Sequence, residues 1–232
     1  MRIEFIAHAT FRITLRDGRI IIIDPYKGMS FQGRFNYPEY VTRADIVAIT
    51  HDHLDHNYVV GIEGEPVIVR DEAEVSGVKI TSHRVWHDRF EGTKFGGAVD
   101  MKLIEAEGVR VLHMGDCGEV LSDERLSAFG KLDVVMIPCG GFYTIDGREA
   151  ADIAKRLGAR VTIPCHYKTR LCDLPISDEL EFCTAFERVT RLGVSELEVG
   201  SVEGVTVLEP KMSQIRRSGE FIFQSGSKQG SE

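Results

Sequence analysis

The feature that most constrains this fold is a series of short, almost wholly apolar runs separated by turns. They include four consecutive isoleucines at 20–23, "ADIVAIT" at 44–50, "LDVVMIPC" at 132–139 and "ARVTIPC" at 159–165. Each run has strand length, and an apolar side chain at nearly every position is typical of a strand that is buried on both faces. Such strands need other layers packed over them, which favours an α/β class of fold.

Other segments complete this outline. "RIEFIA" and "TFRITL" predict strands, and Asp17-Gly18 predicts a two-residue hairpin turn before the isoleucines. Further strands are predicted in "EPVIVR", "VKITSHRVW" and the long segment 99–116. Asp146 and Glu149 form a capping-box pattern before "AADIAKRLG", and a second helix is predicted over "DELEFCTAFERVTRLG" at 178–193. The segment from Tyr26 to Tyr40 breaks the pattern and predicts an ordered aromatic loop, whose rings either wall a pocket or pack against the domain.

Composition limits the function classes. The chain has 232 residues, 43% of them hydrophobic, which suits one domain over 1–213 followed by a polar tail over 214–232. A net charge of −8 argues against binding to polymeric nucleic acid. The five cysteines are an odd number without a CxxC pair, and the N-terminus carries charges where a signal peptide would be apolar. We therefore expect a cytoplasmic protein with free thiols and no membrane association.

The chemistry is concentrated in "HDHLDH", which directly follows the run at 44–50. His51 and His53 are two residues apart and can face one ion, while Asp55 and His56 turn towards a second. Imidazole nitrogens and carboxylate oxygens are ligands for Zn²⁺ and related metals. Because carboxyl ends of strands commonly hold ligands in open α/β sheets, this pattern predicts a metal site rather than a polar surface loop.

These motifs resemble the metallo-β-lactamase superfamily. The pattern HxHxDH is shared, and "IAHATF", "IIIDPY", "HMGDCG", "IPCGGFYTID" and "IPCHYKT" look closest to the small, stand-alone metal-dependent hydrolases that include the ascorbate-6-phosphate lactonase-like proteins. The resemblance covers most of the chain. It implies an α/β (α+β) fold built as a four-layer αββα sandwich, with two sheets face to face and helices outside.

The resemblance also implies a ligand set for two metal ions. The first ion would be held by His51, His53 and His87, and the second by Asp55, His56 and His166, with Asp116 bridging them. Periodicity does not separate His83 from His87, which are four residues apart in the same segment. The continuation "HDRFEG" resembles the family pattern and favours His87.

Residues beside the motifs have supporting roles in this hypothesis. Asp24 is expected to orient a metal-binding histidine as a hydrogen-bond acceptor, and His8 to lie in the same outer shell. Lys168 and Arg170 follow His166 closely and are expected to bind an anionic group of the substrate, although a solvated loop is an equal alternative. Cys117 and Cys165 are expected to be structural.

The implied chemistry is hydrolysis. Two divalent ions, Zn²⁺ foremost with Mn²⁺ or Fe²⁺ also suited to these donors, would activate a bridging water, with Asp55 and Asp116 as catalytic residues. We expect a small, anionic metabolite with an ester, lactone or phosphodiester bond as substrate, and a homo-oligomer is compatible with the sequence.

Other functions remain open at this point. One alternative is a phosphodiesterase or nuclease acting on nucleotides or RNA, and another is a metal-dependent binding or sensor protein without turnover. Di-iron redox chemistry is disfavoured, since the resemblance implies Glu in redox relatives at the position of His53.

Overall fold

The computed structural model describes residues 1–214, which form two large mixed sheets, one small sheet and few helices. Over these residues the strands are β1 (Arg2–Ala7), β2 (Thr10–Thr14), β3 (Ile20–Ile23), β4 (Thr42–Arg43), β5 (Ile46–Ala48), β6 (Ile62–Glu63), β7 (Val67–Val69), β8 (Ala73–Val75), β9 (Val78–Trp86), β10 (Ala98–Ala106), β11 (Val109–His113), β12 (Val134–Pro138), β13 (Val161–Cys165), β14 (Val189–Arg191), β15 (Glu196–Glu198) and β16 (Gly204–Val207). The helices are α1 (Asp123–Ser127), α2 (Gly147–Leu157), α3 (Leu180–Thr184) and α4 (Lys211–Gln214). Within the same residues, none of these helices has the length and apolar character needed to cross a membrane. Most of the predicted tail, 215–232, lies outside the described residues.

The two large sheets have different strand orders. One sheet runs β15-β1-β2-β3-β5-β7, and the other runs β14-β16-β13-β12-β11-β10-β9-β8. The small sheet pairs β4 with β6. Strands β3, β5 and β7 are parallel to one another, as are β11, β12 and β13, while the hairpin strands β9, β10 and β11 are antiparallel. Each sheet therefore brings several carboxyl strand ends to one edge.

The isoleucine strand β3 shows why continuous apolar runs were required. Ile21 and Ile23 point into the main core, which contains residues of both large sheets. Ile22 points the other way, into a second apolar cluster on the outer face of the six-stranded sheet. Because neighbouring side chains of a strand alternate between its faces, β3 needs apolar residues at successive positions.

The outer face of the six-stranded sheet is covered by the aromatic loop rather than by a long helix. Tyr26, Phe35 and Tyr37 are buried in the second cluster, and their rings contact one another at centroid distances of 5.0 to 5.8 Å. Phe31 instead remains partly exposed and lines a cavity. The two alternatives for this loop are thus divided among its residues: most pack against the domain, and one forms a wall.

The helix predictions have different outcomes. Helix α2 is confirmed, with Asp146 as N-cap in a complete capping box and Gly158 as a left-handed C-cap. The prediction of one helix over 178–193 is wrong, because α3 ends at Thr184 and Val189 begins the edge strand β14. The β-branched pair Val189-Thr190 favours a strand, and its alignment with β16 supplies backbone partners that a helix would not use.

The first hairpin forms where it was predicted, with a longer turn. Leu15 and Arg19 close it through a backbone hydrogen bond of 2.9 Å, so that three residues form the turn instead of two. Gly18 adopts a φ of +89°, a conformation that is favourable only for glycine. The turn places β2 against β3 in a register that pairs Phe11 with Ile23.

Candidate metal centre

Six strand ends supply the side chains of this site. His8 follows β1, Asp24 follows β3, the segment 51–56 follows β5, His87 follows β9, Asp116 follows β11 and His166 follows β13. Since these strands point towards the same edge within their respective sheets, residues that are far apart in sequence meet there. His8, Asp24 and His166 have φ values of 57°, 47° and 48°. Strained backbone of this kind is concentrated at functional sites.

A first group of donors consists of three histidines. Ring nitrogens of His51, His53 and His87 lie within 4.8 Å of one another. His51 Nε2 is 3.1 Å from His53 Nδ1, and the ring of His87 lies 5.0 Å from each of the other two rings. His51 and His87 are buried, whereas His53 is half-buried and faces the cavity. Three imidazoles around one point match a transition-metal site with a position left open for a ligand.

A second group lies next to the first. Donor atoms of His8, Asp55, His56 and His166 also fall within 4.8 Å of one another, and all four residues are buried. The structure thus brings His8 into the set together with the residues that the resemblance implied for the second ion.

Asp116 lies between the two groups. Its Oδ2 is 3.4 Å from His87 Nε2 and 3.8 Å from His51 Nε2, on the side of the first group. The same carboxylate lies 3.2 Å from Nε2 of both His56 and His166, on the side of the second group. A buried carboxylate with two oxygens in this position can contact ions held by both groups.

Outer residues determine which nitrogen each histidine offers. Asp24 Oδ2 accepts a hydrogen bond of 2.7 Å from the Thr50 hydroxyl. The hydroxyl proton is used in that bond, so Thr50 Oγ1 accepts from His51 Nδ1 at 2.9 Å. Burial, reinforced by the neighbouring His56, lowers the pKa of His51 to about 3. The ring is therefore neutral at pH 7, and His51 Nε2 presents a lone pair to the centre.

His56 and His87 are oriented in the same way. His56 Nδ1 donates to Asp24 Oδ2 at 2.9 Å, and His87 Nδ1 donates to the carbonyl oxygen of Tyr143 at 3.0 Å. With Nδ1 as the donor, Nε2 of each ring faces Asp116 and is the atom that can bind a proton or a metal ion. Among residues 1–214, Nε2 of both histidines and Asp116 Oδ1 are buried without a hydrogen-bond partner. These atoms need positive charge between them, which a proton on His56 or a metal ion can supply.

Three buried carboxylates add to the need for positive charge at this site. Asp24, Asp55 and Asp116 are buried, and in the part of the chain that the structure describes their only ion-pair partners are histidines. Burial alone would lower the pKa of His56, but Asp116 and Asp55 outweigh it and hold that pKa well above its usual value. In the absence of metal a proton on His56 thus supplies part of the missing positive charge. The residues fit a centre that holds divalent cations.

His8 contacts Asp55 directly. Its Nε2 lies 3.2 Å from Asp55 Oδ2, and its backbone carbonyl accepts the N–H of His166. Burial, with a smaller effect of His166, lowers the pKa of His8 to about 4, so its neutral ring donates one hydrogen bond to the carboxylate. Burial would raise the pKa of Asp55, but His56 and His8 hold it below the usual range. His8 is therefore placed to orient Asp55, as the sequence hypothesis of an outer-shell role requires.

Several contributors had no signal in the sequence. Thr50 and the Tyr143 carbonyl orient ligands through groups that many residue types could supply. Gly118 and Gly140 allow close approach of backbone: a Cβ at Gly118 would lie 2.2 Å from the His87 carbonyl oxygen, and one at Gly140 would lie 2.3 Å from that of His166. Recognising these roles needs the three-dimensional neighbours.

Other predicted candidates lie elsewhere. His83 packs its ring 4.8 Å from that of Phe129 and is absent from both donor groups. Lys168 pairs with Asp173 at 2.9 Å, and Arg170 donates to the carbonyl oxygen of Ser213. Neither cation lines the cavity above the centre. Cys117 and Cys165 are buried free thiols, and burial raises the pKa of Cys117 to about 12.

A cavity of about 320 Å³ opens above the two donor groups. Its floor includes His53, Asp55, His87, Asp116 and His166. The volume suits a small molecule and gives it access to the residues that would bind metal.

Comparisons with known proteins agree with this geometry. A family model described as a beta-lactamase superfamily domain matches residues 2–166. A UPF0173 metal-dependent hydrolase from Methanospirillum hungatei is 31% identical over 229 aligned residues, covering 86% of this chain and 97% of that protein. Another from Rubrobacter xylanophilus is 32% identical, covering 72% of this chain and 82% of that protein. The chain belongs to the UPF0173 family of the metallo-β-lactamase superfamily.

A solved structure supports the fold of this UPF0173 hydrolase. It is a Thermotoga maritima protein whose name places it among the Zn-dependent hydrolases of the metallo-β-lactamase superfamily. The two share 30% sequence identity and superpose with a TM-score of 0.72, over 89% of this chain and 97% of that chain. The metallo-β-lactamase fold is confirmed, as is the prediction of a metal-dependent hydrolase. The particular likeness to ascorbate-6-phosphate lactonase is not among these findings.

Removing His87 should affect metal binding more than removing His83. His87→Ala is expected to lower the metal content by about one equivalent per chain, because His87 belongs to the first donor group and His83 belongs to neither group. His83→Ala is the matched control and should keep the wild-type content. Elemental analysis after metal reconstitution and gel filtration measures both. Equal losses, or a larger loss in His83→Ala, would contradict this assignment.

The Thr50 hydroxyl should contribute to metal affinity without contacting metal. Thr50→Val keeps the shape but removes the link between Asp24 and His51, and should weaken metal binding roughly 10-fold to 100-fold. Competition with a chromophoric chelator measures the affinity. Thr206→Val, at a buried threonine of β16, controls for loss of a buried hydroxyl. An affinity equal to that of the control would refute the orienting role.

Proposed function

We propose that this UPF0173 protein binds two divalent metal ions, with Zn²⁺ as first choice, and hydrolyses an ester, lactone or phosphodiester bond of a small molecule. The observation that carries the proposal is the set of three buried carboxylates whose ion-pair partners, within residues 1–214, are all histidines. His51, His53 and His87 would hold one ion, and Asp55, His56 and His166 the other. Asp116 would contact both.

The chain's own groups prepare the site for this reaction. When bound, divalent ions lower the pKa of water towards about 7 and stabilise negative charge that develops on the substrate. Asp24 and Tyr143 hold the histidines in the tautomer that leaves Nε2 free. His8 fixes the Oδ2 side of Asp55, which lines the cavity and can orient the nucleophile or accept its proton. Asp116 faces the same cavity.

The substrate class is narrowed by size and by chemistry. A cavity of about 320 Å³ and the chain's net charge of −8 favour a small molecule over polymeric nucleic acid. The motifs that resemble ascorbate-6-phosphate lactonase-like proteins make a lactone the first bond to test. An anion bound by Lys168 and Arg170 has little support, since both side chains are engaged away from the cavity.

Metal stoichiometry and turnover test this proposal together. Protein reconstituted with Zn²⁺ or Mn²⁺ is expected to hold about two ions per chain and to hydrolyse at least one member of a panel of lactones, carboxylic esters, thioesters and phosphodiesters. Asp116→Asn should lower kcat by at least about 100-fold, because it removes the charge shared by both donor groups. Asp123→Asn, at an exposed residue of α1, is the matched control and should not change kcat.

Each contrary outcome has a distinct meaning. A stable content of one ion would remove the two-ion centre. Two ions without turnover of any bond class in the panel would favour the binding or sensor alternative. Activity that survives Asp116→Asn would overturn the assignment of the centre.

A further inference from the structure

The walls of the cavity differ from its floor. Above the His and Asp residues, the lining consists of Phe31, Leu54, Phe95, Tyr143 and Leu174. Leu54 is 49% exposed and Phe31 is 37% exposed. Large apolar side chains that face open space around a polar centre mark a place where a ligand covers apolar surface.

Apart from histidines, the titratable side chains that line the cavity are carboxylates and one tyrosine. Its lining contains the carboxylates of Asp52, Asp55 and Asp116 and, among residues 1–214, no Lys or Arg. Divalent ions would neutralise the buried carboxylates on the floor, whereas Asp52, whose side chain is 83% exposed, lies 3.9 Å from Arg70 Nη1. Lys94 Nζ lies 4.7 Å from the centroid of the Phe95 ring but lines a neighbouring cavity. An anionic substituent that rests on the walls would therefore contact no cationic side chain among the lining residues.

The aromatic wall is held in place before any ligand arrives. Asp88 Oδ1 accepts the backbone N–H groups of Phe90 and Gly92, and its Oδ2 accepts those of Lys94 and Phe95. These four hydrogen bonds shape the loop that carries the Phe95 ring. Ordering this loop on binding would thus cost little entropy.

The wall is also linked to the metal centre. The Phe95 ring lies 5.1 Å from the ring of Tyr143, whose backbone carbonyl accepts the hydrogen bond from His87. The Phe142 ring extends the cluster at 5.6 Å from Phe95 and is 57% exposed. A group seated on Phe95 would accordingly be positioned relative to the donor that His87 supplies.

We infer that the substrate carries an uncharged apolar substituent, an aryl ring or short alkyl chain, which packs against Phe31, Leu54, Phe95 and Leu174 while its hydrolysable bond lies over the centre. This inference rests on the proposed function for the position of the bond. It replaces the anionic metabolite expected from sequence with a neutral, apolar substrate class.

Hydroxamic acids test the packing of the substituent separately from binding to the metal centre. Each has the same metal-chelating group, so the substituent alone differs among acetohydroxamic, benzohydroxamic and 4-carboxybenzohydroxamic acid. With the metal-loaded protein, calorimetric titration should give a Kd about tenfold lower for the benzo than for the aceto compound, as expected for burying roughly 60 Å² of apolar surface. The carboxylate of the third compound should remove most of that gain.

Substitutions in the wall test which residues cause the tighter binding of the benzo compound. Phe31→Ala and Phe95→Ala should reduce the benzo-to-aceto ratio towards one while leaving acetohydroxamate affinity intact, which also shows that the centre is folded. Phe95→Leu should retain part of the ratio. Leu180→Ala, at a similarly exposed apolar residue of α3 outside the cavity lining, is the matched control and should keep the full ratio.

A probe that does not chelate metal tests binding to the apolar wall independently of the proposed metal centre. The uncharged fluorophore N-phenyl-1-naphthylamine should bind the wild type and be weakened by Phe95→Ala but not by Leu180→Ala. Binding of the fluorophore in this pattern without binding of any hydroxamate would support the wall and reject the metal centre. Equal affinities for the aceto and benzo compounds, or tighter binding of the carboxylated one, would overturn the apolar substrate class.

Discussion

The structure depends on the burial of negative charge at the edge where the two sheets meet. Asp24, Asp55 and Asp116 are removed from water, and histidines alone pair with them within residues 1–214. An isolated buried carboxylate is strongly unfavourable, so this arrangement is stable only when positive charge is supplied to it. A proton on His56 is one source and divalent metal ions are a stronger one. Binding of metal and stability of the fold should therefore be coupled.

The two-sheet architecture makes this concentration possible. Strands such as β3 and β5 are buried mostly by apolar contacts, and the residues that would bind metal come after their carboxyl ends. The strands fix the positions of the segments that follow them, and these short segments carry the side chains that would bind metal. Because neighbouring loops also supply Phe31 and Phe95, the same edge combines a charged floor with apolar walls.

Much of this site was accessible from sequence because its ligands follow predictable strands. The histidines of "HDHLDH" come directly after a recognisable buried run, whereas a resemblance was needed to add Asp116 and His166 and to place His87 rather than His83. What sequence could not supply depends on three-dimensional neighbours: the Thr50 hydroxyl between Asp24 and His51, and the engagement of Lys168 by Asp173. The short edge strands and the early end of α3 were missed for a similar reason, since pairing at a sheet edge overrides local helical periodicity.

The most direct test of this account is anomalous diffraction from crystals of the protein reconstituted with Zn²⁺. The account predicts two anomalous peaks on either side of the Asp116 carboxylate, one beside His51, His53 and His87 and the other beside His56 and His166. A single peak, or peaks that do not contact Asp116, would contradict the claim that its buried charge joins two metal ions in one centre.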